Sequence, residues 1–168
     1  VFYSSAELKC YKTTYLWLRY SDDNGKTWSK PQIISSQVKS EKESFLGVGP
    51  GRGVAINHNG KERIVFCVYD NNGLFKDPIF ENASVVYSDD NGATWHRSSK
   101  IKIKAGLQKT SEAQLVKIDS GEYKALRIYA RNLSNYIAYA DSFDGGETWT
   151  QFRADKQLEG TKNCMVSL

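Results

Sequence analysis

The chain has 168 residues, of which 23 are basic and 19 acidic, giving a formal charge of +4 and a pI near 8.9. This balance is mild and the lysines are scattered outside Lys100 to Lys109, which argues against a nucleic-acid-binding surface. No run of about 18 apolar residues occurs, so no membrane-spanning helix is expected, while ten tyrosines, 12% aromatics and only three prolines fit an all-β chain.

From the N-terminus, the first strand-like run is Tyr15 to Tyr20, and Trp28 to Ile34 is the second. Between them lies the pattern Ser-x-Asp-x-Gly-x-Thr-Trp, at Ser21 to Trp28. It recurs at Ser88 to Trp95 and at Ser142 to Trp149. Each copy reads as a hairpin turn. Asp23, Asp90 and Asp144 are placed to accept backbone amides, Gly25, Gly92 and Gly146 to take positive φ, and the Thr-Trp pair to re-enter a strand. Trp28, Trp95 and Trp149 are expected to be buried anchors. A calcium loop of EF-hand type would need an acidic ligand where Tyr20 and Tyr87 stand, so the boxes read as structural.

In the second repeat the predicted strands are Phe45 to Ile56, Arg63 to Tyr69, Ala83 to Ser88 and Trp95 to Ile101. In the third they are Glu112 to Ile118, Tyr123 to Arg131, Tyr136 to Ala140 and Trp149 to Arg153. Both repeats place the box between strands three and four. The boxes are 67 and 54 residues apart, near the period of a propeller blade. The expected organisation is the end of one blade (1–43), a second blade (44–104), a third (105–157) and the start of another (158–168). Because propellers close with about 4 to 8 blades and open edges invite aggregation, the chain reads as one piece of a larger domain.

Cys10, Cys67 and Cys164 are odd in number and widely spaced, and read as buried free thiols. His58 and His96 lie in turn-like or post-box surroundings without partners at metal-ligand spacing, so no metal or other cofactor is expected. In an antiparallel blade the start of strand one and the end of strand two share one end, opposite the boxes. That end is the expected mouth. Glu112, Arg131 and Asn132 reach it from the third repeat, and Gly49-Pro50-Gly51-Arg52-Gly53 with Tyr69-Asp70 from the second. A carboxylate and two guanidinium groups there suit an anionic ligand, since arginine's planar fork pairs with a carboxylate.

The three boxes, together with Phe45 to Gly53, Ser111-Glu112-Ala113-Gln114-Leu115-Val116 and Tyr129-Ala130-Arg131-Asn132, resemble the catalytic domain of bacterial sialidases over nearly the whole chain. The resemblance implies part of a six-bladed all-β propeller, with four-stranded antiparallel blades, that removes terminal sialic acid from glycans. It further implies a retaining reaction with a tyrosine nucleophile helped by a glutamate, an aspartate acid/base and three arginines on the sialate carboxylate. Carried over by motif, Glu112 is the glutamate partner of the nucleophile and Arg131 the second clamp arginine. Arg127, four residues earlier on the same strand face, competes for that role, and position at the strand end favours Arg131. Arg52 is a candidate rim contact. The remaining clamp arginines, the aspartate and the tyrosine fall outside the chain, so the isolated piece is expected to be inactive.

The same resemblance implies sialylated glycans as partners and a secreted or cell-surface bacterial protein. The sequon at Asn132 would place a glycan at the mouth, which fits an unglycosylated bacterial chain. Intramolecular transfer to an anhydro sugar, and a non-catalytic propeller that binds glycans or protein, are the alternative readings.

Overall fold

The computed structural model describes residues 2–3, 14–40, 43, 45–71, 81–159 and 164. Three antiparallel sheets follow one another along the chain. The first contains β1 (Phe2–Tyr3), β2 (Tyr15–Leu18) and β3 (Gln32–Ile33), followed by the single helical turn α1 (Ser35–Val38). The second contains β4 (Phe45–Val48), β5 (Val54–His58), β6 (Lys61–Asn71), β7 (Glu81–Ser88) and β8 (His96–Arg97), with β4 and β5 both paired to β6. The third runs β9 (Ala113–Ser120), β10 (Tyr123–Ala130), β11 (Tyr136–Ser142) and β12 (Arg153–Glu159), each strand beside its sequence neighbour. Among the described residues no helix is long and apolar enough to cross a membrane.

Strand alternation gives each sheet two faces, and the core consists of the contacts between them. Ile64, Phe66 and Val68 of β6 point toward the first sheet, into a cluster with Leu16, Leu46, Val86 and Trp95. Val65 and Cys67 point the other way, toward Leu115, Leu126 and Ile128 of the third sheet and toward Phe152 just before β12. The second sheet is thus apolar on both faces, as a strand layer packed between two others must be.

The boxes form the turns expected of them. Ser88 Oγ accepts the Gly92 amide at 2.8 Å and donates to Asp90, while Asp90 accepts the Thr94 amide at 2.8 Å and its hydroxyl at 2.6 Å. The first box repeats these bonds. In each box the indole N–H donates to the glycine carbonyl, as from Trp95 to Gly92 at 3.0 Å. Positive φ falls on Gly25, Gly92 and Gly146 and on the residue before each, Asn24, Asn91 and Gly145.

Four features depart from the sequence reading. Trp95 is buried and Trp149 half-buried, but Trp28 is 55% exposed. The reason is that a box closes against the preceding sheet: Gly92 packs on Leu18, and Gly146 on Val85 and Val65. Among the described residues no sheet precedes the first box. The run Phe45 to Ile56 is two strands rather than one, broken at Gly49 to Gly53, where Pro50 has no amide to donate and a Cβ at Gly49 would collide with the Ala113 carbonyl. The outer strands also shift. Strand β8 is only His96–Arg97, and β12 starts at Arg153, because Phe152 turns fully into the core and bonds through its backbone to Lys102 and Lys104. Finally, Cys67 is a buried free thiol, pushed up in pKa by burial, whereas Cys164 is exposed; Cys10 lies outside the described residues.

Candidate active site

The end opposite the boxes collects the residues that the motifs single out. The Arg131 amide donates to the Glu112 carbonyl at 3.1 Å and the Ser111 amide to the Arg131 carbonyl at 3.0 Å, which continues the β9–β10 ladder past its last paired strand residues. The two side chains are thereby set opposite each other. Arg131 Nη1 donates to Glu112 Oε2, with 31% and 27% of the side chains exposed, so the pair is open to a ligand rather than sealed in the core.

Arg52 lies in the glycine run between β4 and β5. Gly49 packs against Ala113, and a Cβ at Gly51 would stand 2.9 Å from the Gln114 side chain, so this segment runs beside the strand that Glu112 leads into. The Arg52 side chain is exposed. Only small residues allow that approach of one backbone to the next sheet.

Two other residues expected at the mouth do not reach it. Asp70 is fully buried between Arg97 Nη2 at 2.6 Å and Lys100 Nζ at 3.1 Å, and the same arginine holds Glu43 at 2.8 Å. Alternation along β6 turns Asp70 toward the first sheet, away from the opening. Asn132 is 3% exposed and builds the following turn instead, donating to the Tyr136 carbonyl at 2.6 Å and accepting the Ser134 amide at 2.7 Å.

Arg127 is committed elsewhere. Its Nε and Nη2 meet the buried Asp141 carboxylate at 2.6 and 3.1 Å, and its guanidinium lies 4.5 Å from the centre of the Tyr139 ring. Those Asp141 hydrogen bonds push its pKa further up.

Tyr69 does stand at the expected level, with an aromatic partner, Phe45, that the sequence reading did not place there. Ile64 pairs with Ser88 and Leu126 with Ser142, so Tyr69 occupies in the second sheet the place that Arg131 holds in the third. Phe45 packs against Tyr69 with ring centres 5.3 Å apart, above Gly47. Phe45 opens the motif that runs to Gly53, but the β4–β6 register that sets it beside Tyr69 is legible only in the structure.

The aspartates of the box turns are not free to do comparable chemistry. Their carboxylates are used up inside the turns: hydrogen bonds from Thr27 and Thr94 hold Asp23 and Asp90 at about 2. What the mouth can do chemically is bind an anion through a guanidinium and accept a proton on a carboxylate, side by side.

The model of the BNR repeat-like domain matches residues 1–163. The chain is 38% identical over 154 residues to an anhydrosialidase of Macrobdella decora, across 89% of this chain and 18% of that protein. It is 32% identical over 157 residues to a sialidase of Bacteroides fragilis, across 93% of this chain and 26% of that protein. Among solved structures, a leech intramolecular trans-sialidase complexed with 2,7-anhydro-Neu5Ac superposes with a TM-score of 0.69 at 35% identity, covering 89% of this chain and 21% of that one. The chain therefore spans about a fifth to a quarter of the length of these relatives. Its three sheets are blades of the same kind of β-propeller.

Proposed function

Because this chain belongs to the BNR repeat-like domain family and shares its Asp-box propeller with sialidases, we propose that the protein is an exo-α-sialidase. In this reading it releases terminal sialic acid from glycoconjugates with retention of configuration. The observation that carries it is the half-exposed pair of Glu112 and Arg131 at the mouth. Arg131 binds the sialate carboxylate, for which its planar fork is matched. Glu112 accepts the phenolic proton of a tyrosine supplied from outside this chain, as that oxygen attacks the anomeric carbon. A neutral nucleophile suits an anionic sugar, and a neighbouring carboxylate activates it. An aspartate, also from outside the chain, protonates the leaving oxygen and then deprotonates the water that frees the enzyme. Arg52 completes the rim. In this reading the protein is a secreted or cell-surface bacterial enzyme, acting where sialylated glycans are displayed.

The test uses the full-length protein on a fluorogenic sialic-acid glycoside. Glu112→Ala and Arg131→Ala should each lose activity with an unchanged melting temperature. A folded wild type that releases nothing from any sialoside would overturn the reading.

The likeness to an anhydrosialidase and to an intramolecular trans-sialidase supports a second outcome for the same site. There the sugar's own hydroxyl, in place of water, would resolve the enzyme-bound intermediate. Mass spectrometry of the product decides between them, since an anhydro sugar is lighter by one water.

A further inference from the structure

The third blade departs from the second in an ion pair at the box end. In the second blade Arg63 and Asp89 form a two-pronged ion pair at 2.6 and 2.7 Å. The register that aligns Ile64 with Leu126 and Ser88 with Ser142 puts Ala125 where Arg63 would stand and Phe143 where Asp89 would stand. The first two boxes carry an acid at that position, Asp22 and Asp89, and only the third carries Phe. Phe143 is 63% exposed, with Tyr123 edge-on to it at 5.6 Å and itself 40% exposed. A large apolar side chain left in water where the repeat calls for a charge marks a binding position better than a packing one.

A groove of about 300 Å³ opens beside Phe143, between the β5–β6 and β9–β10 hairpins. Asn57, His58, Lys117 and Lys124 line it with Phe143, and Asp119 sits at 3.8 Å from Lys117. Both lysines are exposed, and His58 faces Glu147 at 3.5 Å on the inner wall. Asp119 is seven residues along β9 from Glu112, so the groove lies about 23 Å from the mouth at 3.3 Å per residue.

We propose that this groove is a second carbohydrate site, which holds a carboxylate-bearing sugar away from the active site. The face of a pyranose ring lies on Phe143, its carboxylate meets Lys117 and Lys124, and its hydroxyls meet Asn57 and Asp119. The volume is at the lower end of small-ligand sites and suits one or two sugar rings, whereas a protein partner would need a contact of about 800 Å² on each side. The choice of an acidic sugar rests on the sialoside reading of the mouth.

The test titrates the full-length protein, carrying Glu112→Gln so that the active site does not consume the ligand and with isotope-labelled phenylalanine, against 3′-sialyllactose and against lactose, following the Phe143 resonance by NMR. The resonance is assigned by its loss in Phe143→Asp, which restores the residue found in the other two boxes. Sialyllactose should shift it saturably and lactose should not. Lys117→Ser with Lys124→Ser should weaken that shift about tenfold, and Arg131→Ala should leave it in place. Turnover of a small fluorogenic sialoside by Phe143→Asp should match wild type, which separates failure of the groove from failure of the mouth. A Phe143 resonance indifferent to sialyllactose would overturn the proposal. So would a shift that lactose reproduces, or one that grows with protein concentration alone, which would make the face a contact between copies.

Discussion

The guanidinium of Arg63, 3% exposed in the second blade, lies 3.0 Å from the Glu147 carboxylate in the third box. Nη1 of the same group reaches the Gly145 carbonyl at 3.2 Å, Nε and Nη2 hold Asp89, and the Tyr87 ring lies 4.2 Å beneath. One side chain therefore ties two consecutive blades at the box end. Truncating it leaves Asp89 and Glu147 without their cation, but these carboxylates are 34% and 45% exposed, so solvent screens the loss to about 1 to 2 kcal/mol, below that of a fully buried pair. Arg63→Ala should lower the unfolding midpoint by that equivalent, and Arg63→Lys should recover only part, because an ammonium cannot serve three acceptors in one plane. An unfolding midpoint equal to wild type would show that the clasp contributes nothing.

The three box tryptophans have the same sequence context and different surroundings. Trp95 is 4% exposed and packs on Phe66 with ring centres 5.9 Å apart, while Trp28 is 55% exposed. Trp95→Ala should cost about 3 to 5 kcal/mol, as large-to-small changes in a packed core do. Trp28→Ala should cost less than about 1 kcal/mol, because more than half of that side chain is in water. Denaturant titration of both variants gives the comparison directly, and equal costs would mean that Trp28 is covered in solution.

That contrast also explains which features the sequence makes legible. A box is closed by its own residues, such as Asp90 with Thr94 and Ser88 with Gly92, so eight letters suffice to read it. Glu112 and Arg131 could be paired from the hairpin that joins them, since strand register carries one to the other. The sequence misleads at Trp28, Asp70 and Asn132, because their environments depend on other parts of the chain. For Asp70 the deciding partner is Arg97, 27 residues away on another strand. For Asn132 it is the Tyr136 carbonyl, which an exposed mouth position would not have used. The groove at Phe143 was hidden for a related reason: the exchange of Asp89 for Phe143 is visible in the repeat, but its meaning requires knowing that Arg63 is exchanged as well.

The box aspartates give a defined response to acid. The Thr27 and Thr94 side chains, then their amides, hold Asp23 and Asp90 at about 2 against an ordinary value of 3.8. At Asp144 burial opposes the Thr148 and Ser142 hydrogen bonds, which still keep it below the ordinary value. Since the folded value is the lower one, the stability from these groups is fully present above 3.8 and is lost as pH falls through about 2. Melting temperature should therefore drop across that window. Thr94→Val removes the largest of these interactions at Asp90, so it should melt lower than wild type at neutral pH and lose less between pH 4 and 2. Parallel curves for the two proteins would contradict the assignment.

Arg131 and Arg127 offer a decision between clamp and scaffold. Both lie on one face of the third blade, but Arg127 is bound on two prongs to the buried Asp141 and Arg131 to the half-exposed Glu112. Arg131→Lys keeps the charge and loses the fork, so kcat/KM on a small sialoside should fall about 100-fold, mainly through KM, with little change in melting temperature. Glu112→Gln should act in the opposite sense, lowering kcat by about 100-fold or more with KM nearly constant, because it removes a proton acceptor and not a binding group. Arg127→Lys should instead lower the melting temperature, since it disturbs a pair whose carboxylate is 1% exposed. Should Arg127→Lys prove the one that raises KM in a protein of unchanged stability, the clamp would belong to Arg127, and Arg131 would serve only to position Glu112.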